Sequence, residues 1–342
     1  MKRHHIPPSL PGFNYLTGQE LATFREVSQK CVGSLLQNRY KEIVTPVLED
    51  WSLFVGGENR PVSIYNVDNI FSLITPIGEA VAMKYENTMP VCKFVTTEIL
   101  NNSLKLPAKF CYISPQYRNE RNISGVGQVR LREFYQVGWE LFGKESLGVS
   151  EAMCTGSDLL ETLGLKGVIK LSNVNIIGDV FDDFAVDPFS QRLLSRVIDK
   201  EDPKRLDQTL SSLDIDDKAR QILSSLKKIV GDPREVLKEV SAIAIKYKYE
   251  KLNHYVTELV EICSEAKRSG IQNNIKIDLS IIRNKAFYSG VVFQYYLSKN
   301  SFECGGGGEY NRIIASLGGP NTPAVGAAFG LDRLIYVYTQ KQ

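Results

Sequence analysis

Histidine is scarce in this chain: His4, His5 and His254 are the only three in 342 residues. Two of them stand in the N-terminal tail, so a histidine-based catalytic dyad or metal centre is not expected. A charge excess is also missing. The net charge is +2, which gives no global basic field for nucleic acid, so any polyanion site has to be local. The six cysteines (Cys31, Cys92, Cys111, Cys154, Cys263, Cys304) are scattered without a CxxC pair. That argues against a zinc site and a disulfide framework, and it fits a reducing cytoplasm. No apolar run approaches the roughly 20 residues of a membrane span, and no signal-peptide pattern opens the chain. The length suffices for one large domain or two ordinary ones, with a sizeable core.

Against these absences, residues 110–143 stand out. Two extended apolar segments, Phe110–Tyr117 and Arg132–Phe142, flank a loop containing glycine and arginine, the pattern of an antiparallel hairpin. Arg118, Arg121, Arg130 and Arg132 crowd its turn end together with Glu120. Arginine presents a planar fork to phosphate oxygens, so the cluster suits a polyanion such as a triphosphate. The same arginines are also compatible with a solvated surface hairpin. On the return segment, Gln136 and Glu140 are four residues apart, which places them on one strand face.

The rest of the chain supplies a frame. Thr17-Gly-Gln-Glu20 is a capping-box pattern opening a helix, which the stripe Leu21, Phe24, Val27, Cys31, Leu35 continues. Ile43 to Leu48 reads as a strand interrupted by Pro46, hence a sheet edge. A short strand ends in Thr75-Pro-Ile-Gly-Glu79, and a helix is expected from Ala80. The macrodipole would favour Glu79 at that helix start. Val149–Thr162 reads as a helix, and Val168–Leu171 and Val174–Ile176 as strands. Residues 188–245 read as short amphipathic helices, with Pro233 at a helix start. Ile275–Ile282 and Val291–Leu297 read as a second hairpin, carrying Arg283, Phe287 and Tyr288 between them. Gly305–Gly308 would allow positive φ and close backbone approach to a ligand, and it lacks the Gly-Lys-Ser/Thr of a P-loop. Arg333 falls in the first turn of a final helix near Gly330, where a cation is unfavourable unless an anion is present.

Arg118-Asn-Glu120-Arg121, a variable loop, and Arg132-Glu-Phe134-Tyr-Gln136-Val-Gly138-Trp-Glu140 resemble motif 2 of class II aminoacyl-tRNA synthetases. Within that class they are most similar to histidyl-tRNA synthetase and its paralogues. The Pro46 stretch resembles motif 1, and Gly330-Leu-Asp332-Arg333 resembles motif 3. Three stretches depart from the family. Pro76-Ile-Gly-Glu79 stands where the family has Pro-Glu-Gly-Thr. Arg283 to Tyr288 keeps only the arginine and final tyrosine of Arg-Gly-Leu-Asp-Tyr-Tyr. Glu309 and Asn311 replace the arginine and aspartate of Gly-Gly-Gly-Arg-Tyr-Asp.

The resemblance implies an α/β (α+β) fold, an antiparallel sheet flanked by helices. The core would comprise 1–187 and 246–342, with a helical insertion at 188–245. It implies a cytoplasmic homodimer formed through motif 1, using ATP and Mg2+ to join an amino acid, histidine or another, to AMP. Arg118 and Arg283 would act on the reacting phosphate, and Arg118, Glu120, Arg132, Phe134 and Arg333 would hold ATP. Glu79, Gln136, Glu140, Tyr288, Gly306 and Gly307 would line the amino-acid pocket, with no metal ligated by side chains alone. The chain stops soon after Arg333, where the family continues into an anticodon-binding domain, so tRNA is expected at most by its acceptor end. The alternative implied is a silent paralogue, the regulatory subunit that pairs with the catalytic subunit of ATP phosphoribosyltransferase in histidine biosynthesis.

Overall fold

The computed structural model describes residues 9–56, 65, 67–120, 130–144, 148–199, 203–227, 229–281, 287–297 and 303–340. The apolar stripe near the start winds as α1 (Gly18–Gln37) and buries Val27, Cys31 and Leu35. Thr17 stands at its N-cap but makes no side-chain bond there, so the capping box is not formed. The stretch around Pro46, a residue with no backbone donor, is divided. β1 (Lys41–Glu42) and β2 (Leu48–Asp50) lie on either side of the proline and join different sheets.

After α2 (Ser52–Val55) come β3 (Ser72–Ile74) and β4 (Ala80–Met83), which complete a three-stranded sheet in the order β2-β4-β3. The helix expected from residue 80 therefore starts only at residue 88, as α3 (Thr88–Leu100). Pairing of β4 on both edges overrides a local pattern that fits either period. The central hairpin forms as β5 (Ala108–Tyr117) and β6 (Glu133–Phe142), in register from Ala108 opposite Phe142 to Tyr117 opposite Glu133. Next follow α4 (Gly148–Thr162), β7 (Gly167–Asn173) and α5 (Val174–Asp183). Val174–Ile176 is thus helical and not a strand. The Asn173 side chain accepts the Asn175 N–H at 2.9 Å, an N-cap that outweighs the β-branched residues beyond it.

Residues 188–247 supply α6 (Pro188–Asp199), α7 (Pro203–Ser212), α8 (Asp217–Leu226), β8 (Val230–Gly231) and α9 (Pro233–Tyr247), the last opened by its proline. The chain then runs through α10 (Lys251–Arg268), β9 (Asn274–Asp278), β10 (Val291–Leu297), β11 (Glu303–Glu309), α11 (Ile313–Ser316), β12 (Ala324–Gly330) and α12 (Leu331–Thr339).

The large sheet has nine strands in the order β1-β5-β6-β12-β11-β10-β7-β9-β8. It is mixed: β1–β5 and β7–β9 pair in parallel, the others antiparallel. Two sequence expectations fail here. β9 and β10 do not form a hairpin, because β7 lies between them, parallel to one and antiparallel to the other. The apolar pattern marks both as buried strands but says nothing of which strand sits beside them. The glycine run does not use the positive φ it would allow either. It is β11, paired on both sides, and none of its glycines has positive φ. A Cβ on Gly307 would stand 2.0 Å from the Gly326 carbonyl, and one on Gly306 2.5 Å from that of Phe293. Glycine lets the neighbouring strands close in and keeps the sheet surface bare.

One face of the sheet is covered by α1, α4, α10 and α12 around Trp139, Leu171 and Phe293. Trp139 is wholly buried and donates its indole N–H to Ala152 O at 3.0 Å. Burying a side chain of that size stabilises by about 3 kcal/mol. On the opposite face, α3 and α11 cover only one end, over Phe110, Tyr112 and Phe142. Among the described residues, the remainder of that face is open. All six cysteines are unbridged, and no helix among the described residues is long and apolar enough to cross a membrane.

Candidate functional site

The open face holds a cleft of about 520 Å³ floored by β6, β11 and β12. Gln136 pairs with Gly330 at one end of the floor and Glu140 pairs with Gly326 at the other. Four residues of strand separate these ends, about 13 Å at 3.3 Å per residue. The two ends differ in charge.

The first end is cationic. Arg118 follows β5, and its backbone N–H donates to Arg132 O at 2.9 Å. Its guanidinium lies 4.6 Å from the Tyr85 ring centre and 4.9 Å from that of Phe134, with Nε donating to Tyr85 O at 3.1 Å. Flanked by two π-faces, it is held in place while keeping its terminal N–H groups. Arg130 and Glu120 also line the cleft, 3.5 Å apart. Arg333 enters from α12 and donates to Glu303 O at 2.6 Å. Beside it, Asp332 accepts the Tyr135 N–H at 2.8 Å, which fastens α12 to β6 and fixes the arginine over the floor. Burial pushes the Asp332 carboxyl above its usual range.

The second end is acidic and closed. Residues 84–88 cross β5 from the cationic end, where Tyr117 N donates to Lys84 O at 2.9 Å, to this one, where Thr88 meets Glu140. Glu86 caps α3, accepting Thr88 N at 2.5 Å and Met89 N at 2.9 Å, and Tyr65 donates to it at 3.0 Å. An ionised carboxylate has about four acceptor sites, so these three donors leave capacity on Oε2. Beneath it lies Glu140, which accepts from the Thr88 hydroxyl at 2.8 Å, from Tyr112 at 3.1 Å and from Tyr310. Burial above all, helped by the neighbouring Glu86 charge, pushes Glu140 up to about 8 against the pull of these hydroxyls. Burial also raises Glu86, opposed by its backbone donors. Phe287 and Tyr288, 4.9 Å apart by ring centres, and Tyr310 form the aromatic wall. The room for Glu140 is made by glycine: a Cβ on Gly326 would stand 1.6 Å from its Oε2.

Of the sequence candidates, Arg118, Glu120, Phe134, Gln136, Tyr288, Gly306 and Arg333 all line this cleft. Glu140 sits just behind its wall, touching three residues that line it. Arg132 turns away and donates from Nε to Glu120 O at 3.1 Å, so it braces the hairpin end. Gly307 faces Ala327. Glu79 does not reach the cleft. It lies exposed in the turn between β3 and β4, its N–H bonded to Thr75 Oγ1 at 3.0 Å. Arg283 lies outside the described residues.

Sequence reading missed Glu86 and Thr88. The signal was present: Tyr85-Glu86-Asn87-Thr88 keeps the glutamate and threonine of Pro-Glu-Gly-Thr. The more obvious proline at Pro76 drew the match nine residues too early, with a glutamate out of phase. Tyr65, Tyr112 and Tyr310 were also missed, since no local pattern distinguishes a tyrosine that faces a cleft from one in a core.

Comparison with known proteins agrees with this architecture. The family model described as histidyl-tRNA synthetase matches residues 12–334. A histidine–tRNA ligase of Methanocaldococcus jannaschii is 30% identical over 318 residues, covering 93% of this chain and 72% of that protein. An ATP phosphoribosyltransferase regulatory subunit of Alkaliphilus metalliredigens is 27% identical over 312 residues, covering 91% and 75%. A crystal structure titled as an ATP phosphoribosyltransferase regulatory subunit/histidyl-tRNA synthetase from Bacillus halodurans C superposes with a TM-score of 0.82 at 20% identity, over 97% of this chain and 83% of that one.

Proposed function

The chain belongs to the histidyl-tRNA synthetase family, and on that footing we propose that its cleft binds ATP beside an amino acid and joins them as an aminoacyl-adenylate. The observation that carries the proposal is the polarity of the cleft: arginines at one end, buried carboxyls about 13 Å of strand away at the other. A polyphosphate fits the first end and an ammonium group the second. In the reaction, a carboxylate oxygen of the amino acid bonds to the α-phosphorus of ATP. The bond from that phosphorus to the bridging oxygen breaks, and pyrophosphate leaves. Such a step needs positioning and charge stabilisation more than proton transfer.

Arg118 would hold the α-phosphate, Phe134 the adenine, Glu120 its amino group and Arg333 the terminal phosphate. Glu86, not Glu79, would receive the substrate ammonium group on its spare Oε2 capacity. Gln136, Tyr288 and Glu140 would shape the side-chain pocket, for which histidine is the first candidate. Mg2+ fits as an ion carried mainly by phosphates and water with one or two carboxylate contacts. Glu303 is a cleft-lining carboxylate that could supply such a contact. Bound there, the ion would offset phosphate charge. A homodimer would use the edge strands β1 and β2, beside which Val44 is 90% exposed and Val47 and Leu48 are also exposed.

A second reading is favoured by residues 284–287 and Glu309, which depart from the family pattern, and by the relatives named as regulatory subunits. In it the cleft binds histidine without turnover, and the protein partners a phosphoribosyltransferase catalytic subunit. ATP–pyrophosphate exchange separates the two: exchange with one amino acid supports the enzyme, and histidine binding without exchange supports the regulator.

A further inference from the structure

The cation end of the cleft is held from outside the sheet by two segments distant in sequence. Gly12 O accepts both Arg132 N and Glu133 N at 3.0 Å. Gly12 has φ +83°, and a Cβ there would lie 2.9 Å from Arg132 N and 3.1 Å from Arg132 Cγ. This position therefore needs glycine for its conformation and for the closeness of the contact. Arg132 O in turn accepts Arg118 N at 2.9 Å, and Arg132 Nε donates to Glu120 O at 3.1 Å. On the other side of the hairpin, Asn119 N donates to Asn69 O at 2.8 Å and Asn119 Nδ2 to Asp68 O at 3.3 Å. The two holding segments meet each other, since the Phe13 and Phe71 rings are 6.1 Å apart.

We propose that residues 10–13 form a strap that positions Arg118 and Glu120, so that Gly12 and Phe13 set nucleotide affinity without touching the nucleotide. The inference rests on the nucleotide-binding reading of that end. It goes beyond it in assigning to the N-terminal segment the alignment of the phosphate-facing arginine. Arg118 has three mechanical supports, its aromatic stack, its Nε bond to Tyr85 O and its backbone bond to Arg132. The strap acts on the last. Preorganising a binding group lowers the ordering cost of the complex, so loosening the strap should weaken the nucleotide and leave the acidic end alone.

The test uses the full chain with Gly12→Ala, Phe13→Ala, Phe13→Leu as the conservative rescue, and Tyr15→Ala as a control at a residue just past the strap that is 90% exposed. Amide exchange is followed at Arg118, Arg132 and Glu133 in the absence of ligand, and the affinities for ATP and for histidine are measured separately. The expected result is exchange at Arg118 faster by about tenfold in Gly12→Ala and Phe13→Ala. ATP affinity should fall by about tenfold and histidine affinity should stay within about twofold. Phe13→Leu should recover most of both effects, and Tyr15→Ala should change nothing. Unchanged exchange at Arg118 overturns the strap, and so does an equal loss of ATP and histidine affinity, which would mark a general structural role. Failure of the unaltered protein to bind ATP would instead sink the nucleotide reading, and the exchange data would then decide the strap alone.

Discussion

Glu140 gives a quantitative test of the acidic end. Its carboxyl is wholly buried and pushed from 4.5 to about 8, by burial first and by Glu86 after it. In the unfolded chain the group ionises near its ordinary value. Between pH 5 and pH 8 the unfolded state has therefore lost this proton while the folded state retains it. Stability from this group is full below pH 4.5 and is lost as pH rises through 8, at about 1.4 kcal/mol per pH unit. Over pH 5 to 8 the loss amounts to about 4 kcal/mol. Glu140→Gln keeps the shape and removes the titration. Any fixed cost of the amide among Thr88, Tyr112 and Tyr310 is the same at every pH, so it cancels in the slope. Urea denaturation of both proteins at half-unit steps should show the variant gaining on the wild type by about 4 kcal/mol from pH 5 to 8. Parallel stability curves over that range would refute the buried, protonated carboxyl.

Two further predictions concern the glycines and arginines of the cleft. Gly326→Ala places a Cβ 1.6 Å from Glu140 Oε2 and must displace a buried, triply bonded side chain. It should destabilise by about 2 kcal/mol in thermal unfolding and abolish detectable amino-acid binding. Arg118→Met keeps an unbranched apolar stem but removes the guanidinium held between the rings of Tyr85 and Phe134. ATP affinity by calorimetry should fall by at least about tenfold, with histidine affinity and melting temperature nearly unchanged.

Much of this site was legible because its chemistry is concentrated in one hairpin. The 110–143 stretch has its two strands, its turn and its arginines in a continuous segment, so period and turn chemistry place Arg118, Gln136 and Glu140, and the resemblance to motif 2 adds Phe134. Gly330 and Arg333 were legible for a related reason, as a helix start with a cation in the wrong place. Most of the failures are non-local. Whether Ala80–Met83 is strand or helix depends on β2 and β3 pairing to it. Whether β9 and β10 touch depends on β7. The glycines of β11 look flexible in sequence and are tightly hemmed by their neighbouring strands. Glu86 was signalled by Glu86-Asn87-Thr88, but its bonds from Tyr65 and Thr88 and the crossing of residues 84–88 over β5 show only in the fold.

The decisive experiment is ATP–pyrophosphate exchange with the purified protein, Mg2+ and each of the twenty amino acids in turn. Glu86→Gln and Glu79→Gln serve as paired variants. Adenylate formation in the cleft predicts exchange with a single amino acid, histidine first, lost in Glu86→Gln and retained in Glu79→Gln. No exchange with any amino acid, together with calorimetric binding of histidine, would contradict it and leave the regulatory reading. Loss of exchange in Glu79→Gln alone would contradict the placement of the ammonium group at Glu86.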